Sequence, residues 1–253
     1  MSRSSLLERF AYRPAPDGPH ARLGVVWFIG AAVACALGTV AVAALFAAVA
    51  AVAALQTARG WQRVGRRVVP GVCGVAAVVA APAALFGGTA LVIGTIASAI
   101  VAIVGSIVTA TNPLRTLRVS LVPAAAAGAV VLLGRIDMGA LVILLVLVSA
   151  YETGDYLMGA EADSLFEGPV SGMAAVMVLT FTVAVGGFGP FESGAVWVFG
   201  ALVAVLAPLG AFVASALAPS AAETGPALRR LDAWIVVTPV WAWLLLVQLG
   251  RVG

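Results

Sequence analysis

Residues 139–168 read GALVILLVLVSAYETGDYLMGAEADSLFEG. The first twelve are apolar or small, and Glu152 and Asp155 then continue the run without a break. With Glu161, Asp163 and Glu167 they make five of the eleven acids of the chain. The i, i+3 spacing of Glu152 and Asp155 puts both on one face of a helix. An acid inside a bilayer is costly, and it marks either a functional site or a buried pair. Glu167 opens the next apolar run, where the positive end of a helix dipole favours a negative charge. Two readings stand side by side. One is a polar patch that seals a helix bundle, with Glu167 as a capping acid. The other is a substrate or metal site.

The surroundings of this stretch decide the fold class. The 253 residues are 62% hydrophobic and 10% charged, with a mean hydropathy of +1.12. Apolar runs of near-spanning length repeat from end to end, which predicts an all-α, polytopic membrane helix bundle. Residues 1–22 are polar, and no small-residue cleavage site follows them, so no removable signal peptide is expected. The net charge of +3 comes from fourteen arginines with no lysine. Cys35 and Cys73 lie alone in apolar runs and read as small packing residues. His20 has only prolines for company and reads as solvated. No Walker loop, G-x-S-x-G or zinc-spaced His/Cys cluster is present, and no aromatic-basic surface points to nucleic acid.

Arginine placement sets the number of crossings. Residues 23–55 would make a helix of roughly 50 Å at 1.5 Å per residue, against a hydrocarbon core of about 30 Å. They form either one long tilted helix or two short ones. Arg3, Arg9, Arg13 and Arg22 precede the stretch, and Arg59, Arg63, Arg66 and Arg67 follow it. A single crossing would split these clusters across the membrane, whereas two crossings keep both inside. Two short helices with a break near 38–42 are therefore expected. The later spans fall at 68–86, 89–109, 119–133, 138–158, 169–185, 195–217 and 231–249. About nine spans with a cytoplasmic N-terminus place twelve of fourteen arginines inside and leave Arg135 and Arg251 outside. The expected organisation is a basic cytoplasmic arm, 1–22, followed by a single transmembrane domain, 23–253. Trp197, Trp234, Trp241 and Trp243 read as an interfacial belt.

The region 140–250 resembles the integral-membrane CDP-diacylglycerol synthases (phosphatidate cytidylyltransferases). Glu152-Thr153-Gly154-Asp155-Tyr156-Leu157-Met158-Gly159 stands in place of that family's D-x-G-A-Y-L-x-G. Ser164-Leu165-Phe166-Glu167-Gly168 keeps the end of its S-P-K-K-T-x-E-G. Leu209-Gly210-Ala211-Phe212-Val213-Ala214-Ser215 is similar to L-G-D-x-x-E-S, Arg229-Arg230-Leu231-Asp232 to D-R-x-D, and Thr238-Pro239 follows in the last span. The resemblance implies two divalent cations held by acids, with CTP and phosphatidic acid as substrates. Ala211, Ala214 and Arg229 stand where it would put acids, and its phosphate-facing lysines have no counterpart.

Phosphoryl-type transfer depends on metals and cations that neutralise charge. Losing them while the helices remain implies a degenerate, non-catalytic member. Its expected role is that of an accessory or scaffold subunit of a larger complex in a bacterial plasma membrane. Lipid transport, with a mammalian-cell-entry (Mce)-type importer as one candidate host, or envelope lipid metabolism is the natural setting. Glu152, Asp155, Glu167, Arg229, Arg230 and Asp232 then form a structural polar cluster or vestigial site, and no residue is assigned to catalysis or to a metal. Partners are membrane lipids and other membrane subunits. The alternative is a divergent cytidylyltransferase with Mg²⁺ on Glu152, Asp155, Glu167 and Asp232. A small transporter ranks third, because no inverted repeat is visible.

Overall fold

The computed structural model describes residues 20–160, 162–191, 193–220 and 225–250, so residues 1–19 of the basic arm, Glu161, Glu223 and Arg251 lie outside these, while the last three residues of the arm, 20–22, open the first helix. The helices are α1 His20–Leu37, α2 Thr39–Arg63, α3 Pro70–Val78, α4 Ala80–Ala84, α5 Gly88–Val108, α6 Pro113–Ile136, α7 Met138–Gly159, α8 Glu167–Gly186, α9 Ser193–Leu217, α10 Pro226–Arg229 and α11 Asp232–Gln248. Seven helical stretches are long and apolar enough to cross a membrane, and Arg22–Leu37 and Pro70–Ala84 add two shorter apolar ones. The fold is thus an all-helical polytopic membrane bundle.

The first apolar stretch is a hairpin. The helix breaks at the single residue Gly38, whose φ of 99° lies in a region that favours glycine. The ring of Trp27 meets that of Phe46 edge-on at 5.3 Å. A continuous helix would hold rings nineteen residues apart at roughly 28 Å, so the chain has reversed. The same kind of contact shows the chain reversing again up to α7. A Cβ on Gly74 would meet Leu55, one on Gly105 would meet Val72, one on Gly128 would meet Leu91, and one on Gly134 would meet Leu141.

Local sequence explains the helix ends. Asn112 caps α6 by accepting the Arg115 N–H at 3.1 Å, and Pro113 takes the first helical position, where no N–H is needed. This helix starts earlier than expected, because the turn carrying Arg115 and Arg118 is helical and not loop. Asp137 ends α6 and caps α7, accepting the Ala140 N–H at 2.8 Å. The two helices therefore turn within one residue.

α6 is the central post of the bundle. It packs against α2, α3, α4, α5, α7 and α11, and 67% of its membrane window is buried, against 22% for α5. Small residues permit this closeness, as is usual where lipid supplies no hydrophobic drive between helices. Ala124, Ala126, Ala127 and Val130 are all buried. The tryptophans divide. Trp197 and Trp243 are exposed, but Trp234 and Trp241 are fully buried, which corrects the interfacial belt for these two. Trp241 stacks edge-on against Phe191 and Phe199 and donates to the Phe199 carbonyl at 3.0 Å. With its N–H satisfied, the indole belongs in the core. Cys35 and Cys73 are free and buried.

The arginine-rich ends of the helices gather at one end of the bundle. Trp61 Nε1 donates to the Leu217 carbonyl at 2.8 Å, and Arg118 donates to the neighbouring Ala216 carbonyl. The guanidiniums of Arg115 and Arg118 both lie over the Trp61 ring. The Ala227 N–H donates to Gln56 Oε1 at 3.1 Å. Gly159 and Gly168 touch at this same end.

Candidate functional site

α7 carries Glu152 and Asp155 to the arginine-rich end, and its position there is set by glycine. A Cβ on Gly154 would strike the backbone of Ser171 and Gly172, and one on Gly172 would strike Tyr151. α7 and α8 therefore meet backbone to backbone, and the carboxylates have a fixed height. Asp232 opens α11, where the helix dipole favours an acid, and its Oδ1 accepts the Ala233 N–H at 2.6 Å. A Cβ on Gly210 would fall on the Asp232 carbonyl, so α9 meets α11 just as closely.

Ion pairs tie the cluster. Arg230 Nη1 donates to Glu152 Oε2 at 3.0 Å, joining the α10–α11 junction to α7 across 78 positions of sequence. Arg229 Nη1 lies 3.7 Å from Asp232 Oδ2, one helical turn away. Arg229 is 7% exposed and also donates from Nη2 to Ser215 Oγ at 3.2 Å. Glu152 Oε1 is buried without a hydrogen-bond partner. Asp155 makes no ion pair among the described residues.

These groups line a cavity of about 920 Å³. Glu152, Asp155, Arg229, Arg230 and Asp232 all face it. Glu167 does not. It is exposed at the start of α8, where its Oε1 accepts the Ser164 N–H at 3.1 Å. The other walls are apolar: Val25 and Phe28 from α1, Val146 and Ala150 from α7, Val178 and Leu179 from α8. Ala211, at the position where the resemblance would put an acid, also lines it.

Sequence reasoning missed α1 as a wall, since nothing polar marks it. The one signal was Gly24, whose missing side chain leaves room for the Arg230 guanidinium. It also missed Ser215, which sits inside a quoted motif but was not read as a partner for Arg229.

The geometry allows charge pairing and the holding of an amphiphile. It does not fit a pair of divalent cations. Among the described residues no three His, Cys, Asp or Glu side chains converge as ligands, and two of the three carboxylates turn to guanidiniums. Fold and site together define a polytopic helical membrane protein with a mixed-charge, apolar-walled cavity. No family model matches the chain, and no curated protein or solved structure matches it either.

Proposed function

We propose that the chain is a non-catalytic, degenerate relative of the phosphatidate cytidylyltransferases. It sits in a bacterial plasma membrane with its N-terminus and arginine-rich end in the cytoplasm. It acts as an accessory or scaffold subunit of a larger membrane complex that handles lipid, either in transport, as in a mammalian-cell-entry-type importer, or in envelope lipid metabolism. The observation that carries this reading is the internal pairing of the cluster. Arg230 engages Glu152 and Arg229 engages Asp232, so these carboxylates neutralise side chains of the protein and do not converge on an ion. Chemistry on a triphosphate needs the opposite arrangement, with acids on metal and cations on phosphate. The apolar walls suit lipid.

One observation favours the enzyme alternative. Asp155, without an ion pair among the described residues, faces the same cavity as Glu152 and Asp232. A single assay separates the two readings. Purified protein with Mg²⁺, CTP and phosphatidic acid is expected to release no pyrophosphate, while affinity purification in mild detergent brings down a membrane subunit. CTP-dependent release that is lost in Asp232→Asn, with folding intact, overturns the scaffold reading.

A further inference from the structure

Charge is divided at the arginine-rich end. No Asp or Glu occurs between Asp17 and Asp137, a stretch that holds eight arginines. The described acids of that end belong to α7, the turn after it, α8 and α11. The arginines of α2, the 64–69 turn and α6 therefore form a basic shelf of their own. Arg66, Arg67 and Arg118 are exposed, and Arg115 is half-buried. None of these four makes an ion pair among the described residues.

Trp61 turns the shelf into a built site. Its Nε1 donates to the Leu217 carbonyl at 2.8 Å, which fixes the indole. The guanidiniums of Arg115 and Arg118 lie 5.2 and 5.8 Å from the centre of the ring, close enough for a cation–π attraction. At i, i+3 on α6 the two share a face, so one ring holds both. The Arg66 N–H donates to the Trp61 carbonyl at 3.0 Å, which folds the turn carrying Arg66 and Arg67 back onto the same residue. Guanidinium forks match the oxygens of a phosphate two at a time. The surface beside the shelf is apolar. Val64 and Leu114 are exposed at its rim. α5 ends next to it, because Val72, just past the turn, packs on Gly105. Val104, Ile107 and Val108 at that end of α5 are all exposed, and α5 is the least buried of the seven spans.

We propose that the shelf binds one anionic phospholipid of the surrounding leaflet. Its phosphate lies against Arg115 and Arg118, Arg66 and Arg67 add positive charge at the headgroup, and its acyl chains run along the open face of α5. The site is separate from the mixed-charge cavity, and it goes beyond the scaffold reading.

The test uses the full chain reconstituted in vesicles of equal parts phosphatidylglycerol and phosphatidylcholine. The protein is re-extracted in mild detergent, and the lipid retained per protein is identified by native mass spectrometry. An arginine near an anionic surface contributes about fivefold, so the wild type is expected to prefer phosphatidylglycerol about 25-fold, one such factor for each stacked arginine. Arg115→Gln combined with Arg118→Gln is expected to remove most of that preference. Arg66→Gln combined with Arg67→Gln, in an exposed turn, is expected to lower it about fivefold and keeps the test open if the first pair does not fold. Trp61→Leu keeps every charge but releases the guanidiniums, and it is expected to lower the preference as well. Arg135→Gln, at the opposite end of α6, is expected to leave it unchanged. No preference in the wild type, or a preference unchanged in either arginine pair, overturns the proposal. An equal loss in Arg135→Gln, or none in Trp61→Leu, reduces the shelf to diffuse surface charge and overturns the built site. Release of the retained lipid by excess inorganic phosphate overturns the lipid assignment in favour of a soluble phosphate. Each of these outcomes leaves the scaffold reading where it stood.

Discussion

Changing Glu152→Gln removes one charge from the Arg230 pair and keeps the shape of the side chain. The partners are 3.0 Å apart, with side chains 16% and 20% exposed. Removing one partner of a fully buried pair costs about 3–5 kcal/mol, mostly because the other charge is stranded. Two features of this site reduce that figure. The pair is partly open to the cavity, and Glu152 Oε1 is already buried without a hydrogen bond, so neutralising it relieves some desolvation. A hydrogen bond to a charged group contributes about 1.5–3 kcal/mol. The expected loss is therefore about 2 kcal/mol, which lowers the folded-to-unfolded ratio roughly thirtyfold. The assay is SDS-induced unfolding of purified protein in mixed micelles, followed by tryptophan fluorescence. Trp234 and Trp241 are fully buried and will report loss of packing. A double-mutant cycle with Arg230→Gln isolates the coupling, because Arg230 makes further contacts. If Glu152→Gln unfolds within about 0.5 kcal/mol of the wild type, the size of an ordinary surface substitution, the pair does not hold α7 to the last helices and the reasoning fails.

Three further outcomes are expected. Trp241→Ala should cost about 3–5 kcal/mol in the same assay, as large core truncations do, and a cost below about 1 kcal/mol would return Trp241 to the interface. Gly210→Ala should lose folded protein by size-exclusion chromatography, since its methyl would meet the Asp232 carbonyl, whereas Gly30→Ala, with open space around it, should elute as wild type. Equal profiles for the two glycine variants would rule out the close α9–α11 contact. Val64 and Phe188 are exposed at opposite ends of the bundle, so in intact cells an impermeant thiol reagent should label Phe188→Cys and miss Val64→Cys. Buried Cys35 and Cys73 keep the background low, and the reverse labelling would invert the proposed orientation.

The helices were legible because a bilayer forces long apolar runs, and the arginines mark where the runs end. Their distribution even called for a break, expected near 38–42, since one crossing would have divided eight arginines between two sides. Burial was not legible. Lipid and core are both apolar, so no amphipathic pattern separates them, and α5 and α6 are both apolar enough to span while differing threefold in burial. The same ambiguity hid Trp234 and Trp241. Arg115 and Arg118 were read as loop because charge near a span end marks either a loop or a final helical turn. Within the site, Glu152 and Asp155 were visible as acids in an apolar run. Their partners were less so, because the contact of Glu152 with Arg230 depends on how α7 and α11 lie together. The α1 wall carried no mark but Gly24.

The central position of α6 bears on how the chain matures. Synthesis releases α2 to α5 before the post they share, so these spans enter the membrane and wait for it. Once α6 arrives, the N-terminal half can close around it. α11 packs on the same post but is made well after it, and Arg229 and Arg230 come only just before α11. Until then Glu152 sits in the bilayer without its cation. A chain stalled or cut before Arg229 would carry the acids of α7 uncompensated, so each copy holds an internal mark that disappears only once Arg229 and Arg230 have been made and packed.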